Sequence, residues 1–104
     1  EALASRLLDA NRFADKVGNN SLVLDVRDES QREATRLYPV HQRNVTLDDP
    51  ELPASIKRAA QEGKTVLIYD YTGQQVRWVQ YLLESLEVSD YYFLEGGFKG
   101  FFNL

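Results

Sequence analysis

Thr65-Val66-Leu67-Ile68-Tyr69-Asp70-Tyr71-Thr72-Gly73-Gln74-Gln75-Val76 is the stretch on which the reading of this chain turns. Thr65 to Tyr69 are apolar or β-branched without a charged break, the pattern of a strand buried on both faces. Asp70-Tyr71-Thr72-Gly73 reads as a turn. From Gln74 to Glu87 a helix is expected, with Val76, Val79, Leu82, Leu83 and Leu86 along one face. Strand, tight turn and amphipathic helix in succession are the unit from which parallel sheets are built.

The flanking segments repeat that alternation. Ser21-Leu22-Val23-Leu24-Asp25-Val26 is nearly continuous apolar sequence and reads as a second buried strand. Asp28 to Tyr38 is polar and reads as a short helix, and Arg43-Asn44-Val45-Thr46-Leu47 as a short strand. Asp48-Asp49-Pro50 opens a helix from about Glu51 to Glu62, with Pro53 tolerated in its first turn and Gly63 ending it. Tyr91-Tyr92-Phe93-Leu94 is a last strand. Gly96-Gly97 is a turn, after which Phe98, Phe101 and Phe102 fall at helical spacing. At the other end, Leu3, Leu7, Ala10, Ala14 and Val17 form a helical stripe, as one helix or as two with Asn11 as a cap, closed by Gly18-Asn19-Asn20. The class is therefore α/β: a mainly parallel sheet with helices on both faces, in three layers.

With 104 residues the chain is expected to be one domain. It has no internal repeat, linker or low-complexity tract. Sixteen acids against twelve Lys and Arg give a net charge of −4 without any basic run, so no nucleic-acid partner is expected. No apolar stretch approaches the roughly 18–20 residues of a membrane span, so no membrane insertion of this segment is expected. No signal peptide is recognised, and a cytoplasmic setting is slightly favoured. There is no cysteine, which removes thiol chemistry and thiolate metal sites.

In open parallel sheets, ligands bind beyond the carboxyl ends of the strands. Asp25-Val26-Arg27-Asp28, Asp70 to Gln75, and Glu95-Gly96-Gly97 are the turns expected to gather there. Asp25, Asp28, Glu29 and Asp70 would be a candidate divalent-metal cluster, but Arg27 sits among them and competes for the same carboxylates. Loop-organising hydrogen bonds and ion pairs are the expectation, with no metal and no cofactor. Asp70-Tyr71-Thr72-Gly73-Gln74 has the D-x-x-G-Q form of nucleotide switch segments, but the phosphate-cradling Gly-x-x-x-x-Gly-Lys-Ser/Thr is missing. His41 stands alone in a polar stretch and is read as an exposed loop residue. Tyr71 lies in the turn and Trp78 on the helix after it; if exposed, the two form a recognition surface, the alternative for Trp78 being packing through its hydrophobic ring.

Three segments, in order and spacing, resemble the rhodanese (sulfurtransferase) family. Leu24-Asp25-Val26-Arg27 is similar to its L/I-D-V-R, Val66 to Gly73 to its V-V-Y-C-x-x-G, and Leu94-Glu95-Gly96-Gly97 to its L-E-G-G. The resemblance spans residues 1–103 and implies a single rhodanese-like domain over 1–104. Within it, 1–18 is an N-terminal helical segment, 21–103 the core, and 70–75 a degenerate active-site loop. In the family, a cysteine at the position of Asp70 carries sulfane sulfur as a persulfide, in a loop of converging N–H groups that favours anions. The resemblance thus carries the anion-binding loop onto Asp70, Tyr71, Thr72, Gly73, Gln74 and Gln75, with Asp25, Arg27, Glu95, Gly96 and Gly97 in support.

The departures fall on the chemistry. The family loop reads Cys-x-x-Gly-x-Arg-Ser; here Asp70 replaces the nucleophile, Gln75 the cation and Val76 the hydroxyl. Of the family's G-H-I-P-G-A-x-N only Asn44 and Val45 fit, after Tyr38-Pro39-Val40-His41. A carboxylate is a far poorer nucleophile toward sulfur than a thiolate and forms no stable persulfide. The expectation is a catalytically inactive member without sulfurtransferase activity. It would serve as a protein-interaction or regulatory module toward a protein partner or a neighbouring domain, with Asp70 bonded to the amides of its own loop. The alternative is an enzyme with altered chemistry at that loop, centred on Asp70 and acting on a phosphoryl or other anionic substrate. A second convergent acid or cation, or a bound metal, would mark that alternative.

Overall fold

The computed structural model describes residues 3–27 and 42–101. The reading of Asp28–Tyr38 as a helix and the placement of Glu29 and His41 lie outside these residues.

Five strands form one parallel sheet: β1 (Leu7–Leu8), β2 (Ser21–Asp25), β3 (Gln42–Asn44), β4 (Thr65–Tyr69) and β5 (Tyr91–Leu94), in the order β1-β5-β4-β2-β3. The described helices are α1 (Ala10–Lys16), α2 (Glu51–Gln61), α3 (Val76–Ser85) and α4 (Gly97–Phe101). A single 3-10 turn, Leu3–Arg6, precedes β1.

Strand alternation decides which helix covers which face. Leu24, Val66, Ile68, Tyr91 and Phe93 point to one side and pack with Leu52, Ile56 and Ala59 of α2 and Val76, Val79 and Leu83 of α3. Val23, Leu67, Tyr69 and Leu94 point to the other side and pack with Ala10 and Phe13 of α1 and with Phe98 of α4. The expected α/β class, with helices on both faces, is what forms. Among the described residues no helix is long and apolar enough to cross a membrane.

β4 occupies the expected Thr65–Tyr69, and β5 the expected Tyr91–Leu94. The first segment differs. The expected helical stripe of residues 1–18 is broken by β1, because Leu7 and Leu8 pair with Phe93 and Leu94 of β5. That pairing outweighs the weak local preference for continuing a helix. The cap of α1 is therefore Asp9, not Asn11, which lies inside the helix; the Asp9 carboxylate accepts from the Arg12 N–H at 2.9 Å. β3 ends at Asn44, earlier than expected. The Val45 N–H still reaches the Asp25 carbonyl at 3.0 Å, but at Thr46 the chain turns toward α2. α3 begins two residues later than expected, at Val76, because Asp70 holds the preceding turn.

Candidate functional site

β2 and β4 are neighbours, with Asp25 opposite Tyr69, so the segments that follow them emerge side by side at the carboxyl edge. Below that edge, on the α1/α4 face, is a charged cluster. Arg27 is 1% exposed and Asp25 is fully buried. The guanidinium meets the carboxylate through two contacts, Nε to Oδ1 at 2.9 Å and Nη2 to Oδ2 at 2.7 Å. The Arg27 backbone N–H adds a third bond to Oδ1 at 3.0 Å, and the Tyr69 hydroxyl donates to Oδ2 at 3.1 Å. Burial acts to lower the Arg27 pKa, but the hydrogen bond to Asp25 and its charge outweigh it, so the guanidinium is held above its ordinary value. The cation also lies over the Phe98 ring, 4.1 Å from its centre. Arg27 and Asp25 thus form a buried ion pair.

Asp70 follows directly on β4 and is 1% exposed. Its carboxylate turns back into its own loop. Oδ1 accepts from the Gly73 N–H at 2.6 Å and Oδ2 from the Gln75 N–H at 2.8 Å. Gln75 is the cap residue of α3 and offers no side-chain bond of its own, so Asp70 supplies the negative charge at this helix start from five residues upstream. The Asp70 carbonyl accepts from the Phe98 N–H at 2.7 Å, and the Tyr71 carbonyl from the Lys99 N–H at 2.9 Å. Those bonds tie the loop to the start of α4, and the Tyr71 and Phe98 rings stack with centres 6.3 Å apart.

The glycines are where the two turns touch. A Cβ on Gly73 would sit 3.4 Å from the Gly96 Cα. One on Gly97 would sit 2.7 Å from the Asp70 carbonyl oxygen and 2.8 Å from its Oδ1, and Gly97 has φ +66.

The structure therefore brings Asp70, Gly73, Gln75, Gly96 and Gly97 together, and Asp25 and Arg27 together beneath them. Thr72 and Gln74 are exposed, and their side chains make no hydrogen bond among the described residues. Glu95 is exposed; its N–H donates to the Leu8 carbonyl at 2.8 Å, and its carboxylate does not join the loop. Asp28 and Glu29 lie outside the described residues. Among the described residues no group of His, Cys, Asp and Glu is placed to hold a metal ion.

Two residues of this assembly are not among the expected site residues. Tyr69 bonds Asp25 and Phe98 covers Arg27. No signal in the sequence marks Tyr69 as a partner of Asp25: the two meet through the register of β2 and β4, which puts both side chains on one face of the sheet.

The fold has close solved counterparts at low sequence identity. One is the N-terminal domain of a protein described as ATP/GTP binding from Clostridium difficile 630, with a TM-score of 0.62 at 19% identity, covering 93% of this chain and 96% of that one. Another is the solution structure of protein hp1203 from Helicobacter pylori 26695, with a TM-score of 0.66 at 18% identity, covering 98% of this chain and 86% of that one. Both likenesses are of fold. No curated protein sequence gives a significant match. The family model of the rhodanese-like domain matches residues 9–104, a span that holds β2 to β5, the Asp70 loop and the Gly96-Gly97 turn together, and the chain accordingly belongs to the rhodanese-like domain family.

Proposed function

We propose that this domain is a non-catalytic rhodanese-like module that binds a protein partner or a neighbouring domain and transfers no sulfur. The observation that carries the reading is the Asp70 carboxylate, held by the Gly73 and Gln75 amides at 2.6 and 2.8 Å. Those amides are the donors an anionic substrate would need, and the chain fills them itself. The chain also lacks any cysteine to accept sulfur, and Gln75 carries no charge to attract thiosulfate.

The interaction half of the reading rests on the exposed face of α3. Trp78 is 72% exposed and Tyr81 67%. Beside Trp78 lies a cavity of about 440 Å³ between α2 and α3, walled by Leu47, Leu52, Val79 and Leu82. Asp48 is at its edge, and the bond its carboxylate makes among the described residues is to the Thr46 hydroxyl, at 2.8 Å. An apolar patch with an uncompensated acid at its edge fits a segment that presents an apolar anchor beside a Lys or Arg.

The test has two arms. Cyanolysis of thiosulfate should stay at the no-enzyme background; turnover above it defeats the non-catalytic reading. A photo-crosslinking side chain at position 78 in the full-length protein should give a discrete adduct, and the same side chain at exposed Arg12, on the opposite face, should give none. Equal labelling from both positions would defeat the assignment of the α3 face.

A further inference from the structure

We infer that a second cavity, at the opposite end of the sheet from the Asp70 loop, is a binding site for a phosphate group. It measures about 160 Å³ and is lined by Arg43 of β3, Ser55 and Arg58 of α2, and Lys64, which leads into β4. Leu22 near the start of β2 also lines it. β4 separates Lys64 from Asp70 by its full length, on the order of 20 Å at strand spacing. The two sites are therefore independent.

The cations gather against the trend of the molecule. In a chain of net charge −4, Arg43, Arg58 and Lys64 share this cavity with a single acid, Glu62. Lys64 lies 3.4 Å from Glu62, and Arg43 lies 3.6 Å from Glu51, both pairs being solvent-exposed and therefore weak. Arg58 has no acceptor among the described residues.

The second observation is Ser55. It is 2% exposed, and its Oγ accepts from Arg43 Nη1 at 3.3 Å. Its own O–H has no acceptor among the described residues. A buried hydroxyl with an unspent donor beside an unpaired guanidinium is a poor arrangement for stability alone. Cations near a helix C-terminus are favoured by the carbonyl dipole, which accounts for Arg58 and Lys64 but not for Arg43 or the Ser55 hydroxyl. A tetrahedral oxyanion satisfies all of them, taking fork-like bonds from arginine and one from the hydroxyl.

The same chemistry reaches the cavity from free phosphate or from a phosphate ester, so both are used as probes. Amide chemical shifts of the folded chain are followed in titrations with inorganic phosphate and with O-phosphoserine, ionic strength being held constant with sodium chloride. Saturable shifts are expected at Arg43, Ser55, Arg58 and Lys64. Tighter binding of the ester assigns the site to a phosphorylated ligand; equal or tighter binding of inorganic phosphate assigns it to free phosphate. Arg58→Gln, at an exposed position, and Ser55→Ala should each weaken binding roughly tenfold. Glu62→Gln should tighten it roughly threefold, by removing the opposing charge and releasing Lys64. Shifts that chloride reproduces, shifts centred on Gly73 and Gln75, or an Arg58→Gln variant of unchanged affinity would overturn the assignment.

Discussion

Gly97 lies so close over Asp70 that a single added carbon at position 97 would come within 2.8 Å of the Asp70 carboxylate and within 2.7 Å of its carbonyl oxygen. The carboxylate, the loop amides and the backbone of the following turn are packed as one block. Neither the main chain at 70 nor that at 97 can withdraw easily, because the Phe98 N–H is bonded to the Asp70 carbonyl. Gly97→Ala should therefore destabilise the domain by about 2–3 kcal/mol, combining left-handed backbone strain with a clash against main chain. Urea denaturation checks this, and a midpoint equal to the native one would show that the turn gives way freely.

Removing the filler should expose what it fills. Asp70→Ala leaves the Gly73 and Gln75 amides without their acceptors, and the expected loss is about 1–3 kcal/mol. Sulfate should stabilise the variant more than the native chain, whose response is confined to the cavity of Arg43, Arg58 and Lys64. Thermal melts with sulfate, against chloride at matched ionic strength, distinguish the two. An equal response of both proteins would mean that the anion acts elsewhere.

Asp70→Cys tests how much of the lost chemistry lies in one residue. Alone it should restore little thiosulfate sulfurtransferase activity, because Gln75 and Val76 give the loop neither a cation nor a hydroxyl. Adding Gln75→Arg should raise the rate further. A single variant as fast as the double would remove loop charge from the account.

Arg27→Met is expected to cost about 3–5 kcal/mol, the range for stranding a buried charge, here that of Asp25. Changing Asp25→Leu as well should recover part of the loss. Denaturant midpoints of Arg27→Met, Asp25→Leu and the double variant decide it: a double-variant loss equal to the sum of the two single losses would show that the pair is not acting as a pair.

Tyr91 gives the alkaline limb of the stability profile. Burial, the largest cause, raises its pKa above the ordinary tyrosine value of about 10. The Glu84 charge adds to the rise, and the Gln80 hydrogen bond and Arg6 oppose it. The folded state therefore holds this proton more tightly than the unfolded one. The associated stability is fully present below about pH 10 and is lost as pH rises through the folded value. The native chain should lose stability faster than Tyr91→Phe above pH 10, and parallel profiles would remove Tyr91 as the cause.

How much of this was legible depended on how local each feature is. β4 and the turn after it stand out because Thr65–Tyr69 is a continuous run that ends at a charge. β1 does not, because Leu7 and Leu8 fit a helical stripe and become a strand only through their pairing with β5. The turn of Asp70 into its own loop follows from an acid placed between a strand and a helix start. The burial of Arg27 does not follow from its neighbours in sequence: it needs the Asp25 carboxylate, the Tyr69 register and the Phe98 ring, which only the closed fold brings together. Gly96-Gly97 reads as a turn from sequence alone, but the contact of position 97 with Asp70 spans elements that are distant in the chain.

The carboxylate in the loop is covalently part of the chain, so its occupancy obeys no binding isotherm. A dissolved anion would come and go with its concentration and with competing salt, and any surface built on the occupied loop would fluctuate with it. Asp70 returns to the same amides at an effective concentration fixed by the backbone. Tyr71 and the start of α3, which stand on that loop, therefore keep one shape whatever the solute content around them.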